Sequence, residues 1–175
     1  MLNMRFDPHE TLVTKRLKLE PLRLEHASLL MMPLRASRLY RYLSESPPIS
    51  VFELKRQFQL WADRPDRGLC YVTRTAPDDF VIGMIRASFV GDGRALIMCK
   101  TFSQFVGHRY SREAVLALTK LLIRTGLVVE AHVDTRNKPA RELFECLGFF
   151  PHSVIECADY IRGEPSDELR YVFPN

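Results

Sequence analysis

Residues 95–133 read ALIMCKTFSQFVGHRYSREAVLALTKLLIRTGLVVEAHV, and their period changes twice. The first eight, through Phe102, are rich in strand formers. From Ser111 to Arg124, Val115, Leu118 and Leu122 fall on one helical face, and Gly126 supplies a stop. LVVEAHV at 127–133 returns to strand composition. Between the first strand and the helix lies QFVGHRYSRE, residues 104–113. A turn there presents several backbone N–H groups, and the opening amides of the helix have no intrahelical partners. Such donors, with the positive end of the helix dipole, suit phosphate oxygens. Gly107 lacks the Cβ that would obstruct a close approach. This window alone fits either an ordinary strand-to-helix turn or a phosphate cradle.

Downstream, Asn137 caps a helix that carries Pro139 in its first turn. Ala140, Leu143, Phe144 and Leu147 share one face of it, and Gly148 ends it. Two strands, near 150–157 and 167–173, complete the chain. Upstream, CYVTRT at 70–75 and FVIGMIRASFV at 80–90 read as strands about an APDD turn. Gly91-Asp92-Gly93 supplies the positive φ of a tight hairpin. It lacks the last glycine of a GxGxxG dinucleotide loop, and a strand rather than a helix follows it. VFELKRQFQLWA at 51–62 spaces Val51, Leu54, Phe58 and Trp61 helically, whereas SESPPIS at 44–50 is a loop because of its adjacent prolines. Helical pieces are expected from Leu24 to Pro33 and around Leu39, Tyr40 and Leu43. LVTKRLKLEPL at 12–22 alternates through Leu17 and Leu19 as one half-buried strand. The expected fold class is α/β of the α+β kind, a mixed sheet with helices packed on it. A single domain is expected over 12–175 behind a polar tail at 1–11.

The 175 residues are 46% hydrophobic and 26% charged, as in ordinary globular domains. A net charge of +4 comes from scattered basic residues, which argues against a nucleic-acid partner. Cys70, Cys99, Cys146 and Cys157 form no CxxC pair and read as small hydrophobes in a reducing compartment. His9, His26, His108, His132 and His152 show no HExxH or comparable spacing, so no metal is expected. The stretch MLNMRFDPHE lacks the apolar core of a signal peptide and no uncharged apolar run approaches membrane-spanning length, so the expected location is the cytoplasm.

Gln104-x-x-Gly107 resembles the first half of the Q/R-x-x-G-x-G/A motif of the GNAT N-acetyltransferases. GHRYSREAV at 107–115 resembles the G-x-G-Y-A-T-E-A-V of the RimJ/RimL branch, which acetylates N-termini of ribosomal proteins. LVTKRLKLEPL, VDTRNKPARELFECLGF at 133–149 and ADYIRGEPSDELRYVF at 158–173 are similar to that branch's opening strand, capping Asn with Leu-Gly-Phe, and terminal hairpin. The resemblance implies a sheet whose strands near 96–102 and 127–133 splay apart, with the pantetheine arm of acetyl-CoA in the gap. It implies a cofactor site of Thr101, Phe102, Gln104, Val106, Gly107, His108, Arg109, Tyr110 and Ser111, joined by Asn137 and Phe144. Asn137 either meets the pantetheine or serves only as a helix cap.

Two positions depart from the family. It has Gly or Ala where this chain has Arg109, whose charge the helix dipole opposes. Its guanidinium either pairs with a CoA phosphate, points to solvent beside Glu113, or marks a loop that no longer binds CoA normally. Phe144 stands where many relatives carry a proton-donating tyrosine, so no general acid is assigned. Glu45 and Asp134 are candidate bases, and both also read as solvated loop carboxylates. Tyr40, Tyr42 and Trp61 lie near the expected acceptor side without assigned roles. The expected activity is direct acetyl transfer from acetyl-CoA to a peptide α-amine or a small amine, by a monomer or homodimer. The alternative is a non-catalytic module that keeps the fold.

Overall fold

A computed structural model describes residues 7–174. Most of the expected N-terminal tail, residues 1–6, lies outside the described residues. The elements are β1 Leu12–Val13, β2 Leu17–Pro21, α1 His26–Leu34, α2 Val51–Ala62, β3 Gly68–Thr75, β4 Val81–Phe89 and β5 Arg94–Thr101. They continue with α3 Tyr110–Arg124, β6 Val128–Asp134, α4 Lys138–Cys146, β7 Phe150–Ile161 and β8 Glu164–Val172. The strands form one eight-stranded mixed sheet in the order β1-β2-β3-β4-β5-β6-β8-β7.

Local chemistry sets several boundaries where the sequence placed them. Ser50 Oγ accepts from Glu53 N at 3.1 Å and caps α2. Asn137 Oδ1 accepts from Ala140 N at 3.3 Å and caps α4. Gly91, Asp92 and Gly93 all have positive φ, as the β4–β5 hairpin requires.

Three expectations need correction. The single strand at 12–22 is two short strands, because Thr14 N donates to Leu17 O at 2.9 Å and closes a turn between them. The helix expected around Leu39, Tyr40 and Leu43 is one 3₁₀ turn, Ser37–Tyr40. The two last strands reach much further than expected and meet at Arg162 and Gly163, both with positive φ.

Each face of the sheet has its own core. On one side α3 and α4 bury Val115, Leu118, Leu122 and Phe144 against Leu19, Tyr71, Ile97, Val129 and Ala131. On the other, α1 and α2 bury Leu30, Leu34, Leu54 and Phe58 against Val72 and Phe102. Period-two alternation assigns Ala95 and Ile97 of β5 to the α3 side and sends Met98 and Lys100 to the other.

One joint in the sheet is incomplete. β5 and β6 run parallel and pair only at Arg94–Val128, Ala95–Val129 and Leu96–Glu130. Beyond that point β5 stays with β4 as far as Thr101–Gly83, whereas β6 follows β8 as far as Asp134–Glu168. A wedge opens between them, edged by strand backbone without a strand partner. Glu130, wholly buried at its root, accepts hydrogen bonds from the Arg170 guanidinium, and Arg94 lies 3.6 Å away. Burial alone would raise the Glu130 carboxyl, but Arg170, then Arg94 and His132, outweigh it and hold it below the usual carboxylate range.

Candidate functional site

At the open end of the wedge, β5 leads into a 3₁₀ turn, Ser103–Phe105, in which Phe105 N donates to Phe102 O and Val106 N to Ser103 O. The chain then turns through Gly107 at φ 91° and Arg109 at φ 61°, both left-handed, into α3. Among the described residues the amides of Gly107, His108 and Arg109 meet no protein acceptor. A Cβ built on Gly107 would have nothing within 4 Å, so the space beside it is open. Open space, free amides and the start of a 15-residue helix make a fitting seat for a diphosphate.

Contacts from the opposite end of the sequence brace this turn. Glu113, in the first turn of α3, accepts from Thr14 Oγ1 at 2.6 Å, Arg16 N at 2.8 Å and Arg16 Nε at 2.7 Å. Arg16 also donates to His108 O at 3.2 Å and lies over the Tyr110 ring, itself stacked on His108. Burial pushes the Glu113 carboxyl up, but the Thr14 and Arg16 hydrogen bonds prevail and lower it. A depressed folded-state pKa contributes stability above the unfolded value, and that contribution is lost as pH falls through the folded one. Glu113→Gln is therefore expected to cost about 1–3 kcal/mol near neutrality. The difference from wild type shrinks in acid, which denaturant melts at several pH values would show.

Because Arg16 and Thr14 occupy Glu113, that carboxylate is no partner for Arg109. Arg109 is exposed and makes no ion pair among the described residues. Its left-handed backbone costs a side-chain-bearing residue about 1 kcal/mol. Arg109→Gly is expected to raise the thermal unfolding midpoint accordingly, and a lower midpoint would show that the side chain stabilises the turn.

The family profile "Acetyltransferase (GNAT) domain" matches residues 16–150, most of the chain and the whole of this wedge and turn. The chain belongs to the GNAT acetyltransferase family. No curated protein matches it. Its fold is that of solved acetyltransferases at low identity. The ribosomal-protein-S5-alanine acetyltransferase from Vibrio fischeri is 14% identical, with a TM-score of 0.84 over 95% of this chain and 97% of that one. RimL, a ribosomal L7/L12 α-N-protein acetyltransferase solved with coenzyme A, is 17% identical, with a TM-score of 0.85 over 93% and 97%. Spermidine N-acetyltransferase from Vibrio cholerae, solved with CoA and spermine, is 19% identical, with a TM-score of 0.80 over 91% and 96%. No helix among the described residues of this GNAT domain is long and apolar enough to cross a membrane.

Within the GNAT domain, Thr101, Gln104, Val106, Gly107, His108, Arg109, Tyr110 and Ser111 come together at the turn, where Thr101 and Ser111 hydroxyls lie 2.7 Å apart. Phe102 turns its side chain into the α1–α2 core, and its amide donates to Ile82 O at 2.8 Å. Phe144 is also in the core, edge-on to Phe149 and stacked with Tyr171. Asn137 caps α4 a few residues beyond β6.

Neither carboxylate considered as a base is a solvated loop group. Glu45 is held by Arg86 at 2.6 Å and Lys100 at 2.5 Å. Asp134 is held by Arg136 and by Ser166 Oγ, at 2.7 and 2.6 Å. Burial would raise both, but Arg86 and Lys100 lower Glu45, and Arg136 and Ser166 lower Asp134. Both are poor proton acceptors near neutrality.

Sequence reasoning passed over His132 and Glu168. His132 lies on β6 just past the last pair with β5, on the face away from α3. Its Nδ1 lies 3.6 Å from Glu168, and its buried Nε2 lies 3.6 Å from the Glu130 carboxylate without a hydrogen bond of good geometry. Burial, against Glu130 and with the charges of Arg170 and Arg94, lowers the imidazole below 6.5. Burial, then Asp159 and Asp134, raises Glu168. The signal was available: alternation in LVVEAHV places His132 opposite the core-facing Val129, Ala131 and Val133.

Proposed function

We propose that this chain transfers an acetyl group from acetyl-CoA to a primary amine, a peptide α-amine or a small-molecule amine, by direct transfer. Acetyl-CoA, as the acyl-donor substrate, supplies an activated thioester carbonyl. The amides from Gly107 to Ser111 and the positive end of α3 hold its diphosphate, and the unpaired edge of β5 offers hydrogen bonds along the wedge. His132 receives the proton that the amine must shed. With its pKa lowered the imidazole is neutral at pH 7, and with Nε2 buried beside Glu130 it is Nδ1 that accepts.

This arrangement favours weakly basic acceptors. Roughly a sixth of α-amines are unprotonated at neutral pH, against about one lysine amine in a few thousand. The observation carrying the proposal is the wedge that ends in free amides and open space at Gly107.

The test is thiol release from acetyl-CoA over an amine panel, run beside thermal-shift titration with acetyl-CoA. Saturating ligand, at about a hundred times its Kd, stabilises by about 2.7 kcal/mol. Binding with amine-dependent thiol release is expected. Binding without release across the panel would leave a module that keeps the fold without turnover.

A further inference from the structure

Between α2, the proline-rich loop and the outer face of β3–β5 lies a cavity of about 500 Å³. That volume is in the range of small-molecule sites. Its walls are mostly apolar and include Leu54, Phe58, Trp61, Met84, Ile85 and Met98. Met98 and Lys100 bring it to β5, the strand that borders the wedge.

The charges in the cavity satisfy one another. Glu45 is bound by both Arg86 and Lys100. Aromatic rings cover the same cations, Trp61 lying 5.6 Å from Arg86 and Tyr40 lying 4.5 Å from Lys100. Glu53, the other carboxylate in the wall, accepts from Ile49 N at 2.9 Å in the cap of α2. Burial pushes the Cys70 thiol and the Tyr40 phenol up to about 12, so both stay neutral. The one carboxylate against the strands, Glu45, is thus already neutralised by two cations, and Glu53 lies across the cavity on α2.

We propose that the acceptor is a monoamine with an uncharged aromatic or branched aliphatic body. The body occupies this cavity, and the amino group faces the wedge. Polyamines are disfavoured, because a second cation would enter a mostly apolar space beside Arg86 and Lys100, whose shared carboxylate is already paired. This rests on the N-acetyltransferase reading for the reaction, although binding of the body does not.

Trp61 is the single tryptophan of the chain and lines the cavity, so its fluorescence reports occupancy without any cofactor. Titration with L-phenylalaninamide, an aromatic body on a weakly basic α-amine, is expected to change Trp61 emission saturably, and spermidine to leave it unchanged. Leu60→Lys adds a cation at the 64%-exposed rim and is expected to weaken L-phenylalaninamide about tenfold. Gln57→Lys, exposed in the same wall, serves as a second variant with the same expectation. A spermidine response equal to or stronger than that of L-phenylalaninamide, or no response to either, overturns the proposal. Saturable binding of L-phenylalaninamide without thiol release from acetyl-CoA supports the cavity's ligand class and counts against the enzymatic reading. Thiol release that is as fast with spermidine as with L-phenylalaninamide supports the enzyme and sinks the ligand class.

Discussion

His132→Gln is expected to lower kcat/KM for the amine by about 10²–10⁴-fold and to leave acetyl-CoA binding unchanged. Glutamine keeps hydrogen-bonding capacity but cannot take a proton. Glu130, Asp134 and Glu45 are not replacements, since they are engaged by arginine or lysine and held ionised, which leaves Glu168, raised by burial beside His132, as the rival acceptor. A pH profile separates a proton acceptor from a packing residue. The imidazole is protonated as pH falls through its lowered pKa, so wild-type activity declines on the acid side with an inflection below 6.5. That inflection disappears in His132→Gln. A variant that loses activity equally at every pH, with the inflection retained, would assign proton transfer elsewhere.

Gly107→Leu is expected to remove acetyl-CoA binding while the fold persists. At φ 91° a residue bearing Cβ is strained, at a cost of about 1–2 kcal/mol. The Cβ meets no protein atom within 4 Å, so the side chain starts into the open space where the diphosphate is expected to lie. Losing one or two charged hydrogen bonds there, at about 1.5–3 kcal/mol each, corresponds to about 10–10⁴-fold in affinity. Calorimetry with acetyl-CoA measures that loss, and a denaturant melt measures the strain separately. Wild-type affinity in Gly107→Leu would place the diphosphate elsewhere.

Elements with local signals were legible in the sequence. The apolar spacing of Val51, Leu54, Phe58 and Trp61 delimits α2 correctly, and Gly91–Gly93 marks the β4–β5 hairpin. The break between β1 and β2 had no such signal. Thr14 is fixed partly by Glu113, 99 residues away, and alternation alone reads straight through the turn. The same holds at the site. The turn at Gly107 was legible from a glycine ahead of a helical period, and the β5–β6 splay came from the family resemblance. Glu45 looked like a free loop carboxylate because its partners, Arg86 and Lys100, lie on two strands that only the fold brings beneath it. His132 was missed for a different reason. Its segment was read for strand composition rather than for which residues face away from the core.

The cradle at the start of α3 is tested most directly by amide chemical shifts in two-dimensional NMR spectra of the isotope-labelled chain titrated with coenzyme A. The largest changes are expected at the amides of residues 107–111, with a second group along residues 97–101 of β5. Saturating coenzyme A that leaves the 107–111 amides unmoved, or that shifts only residues far from the wedge, would contradict a diphosphate seat at this turn.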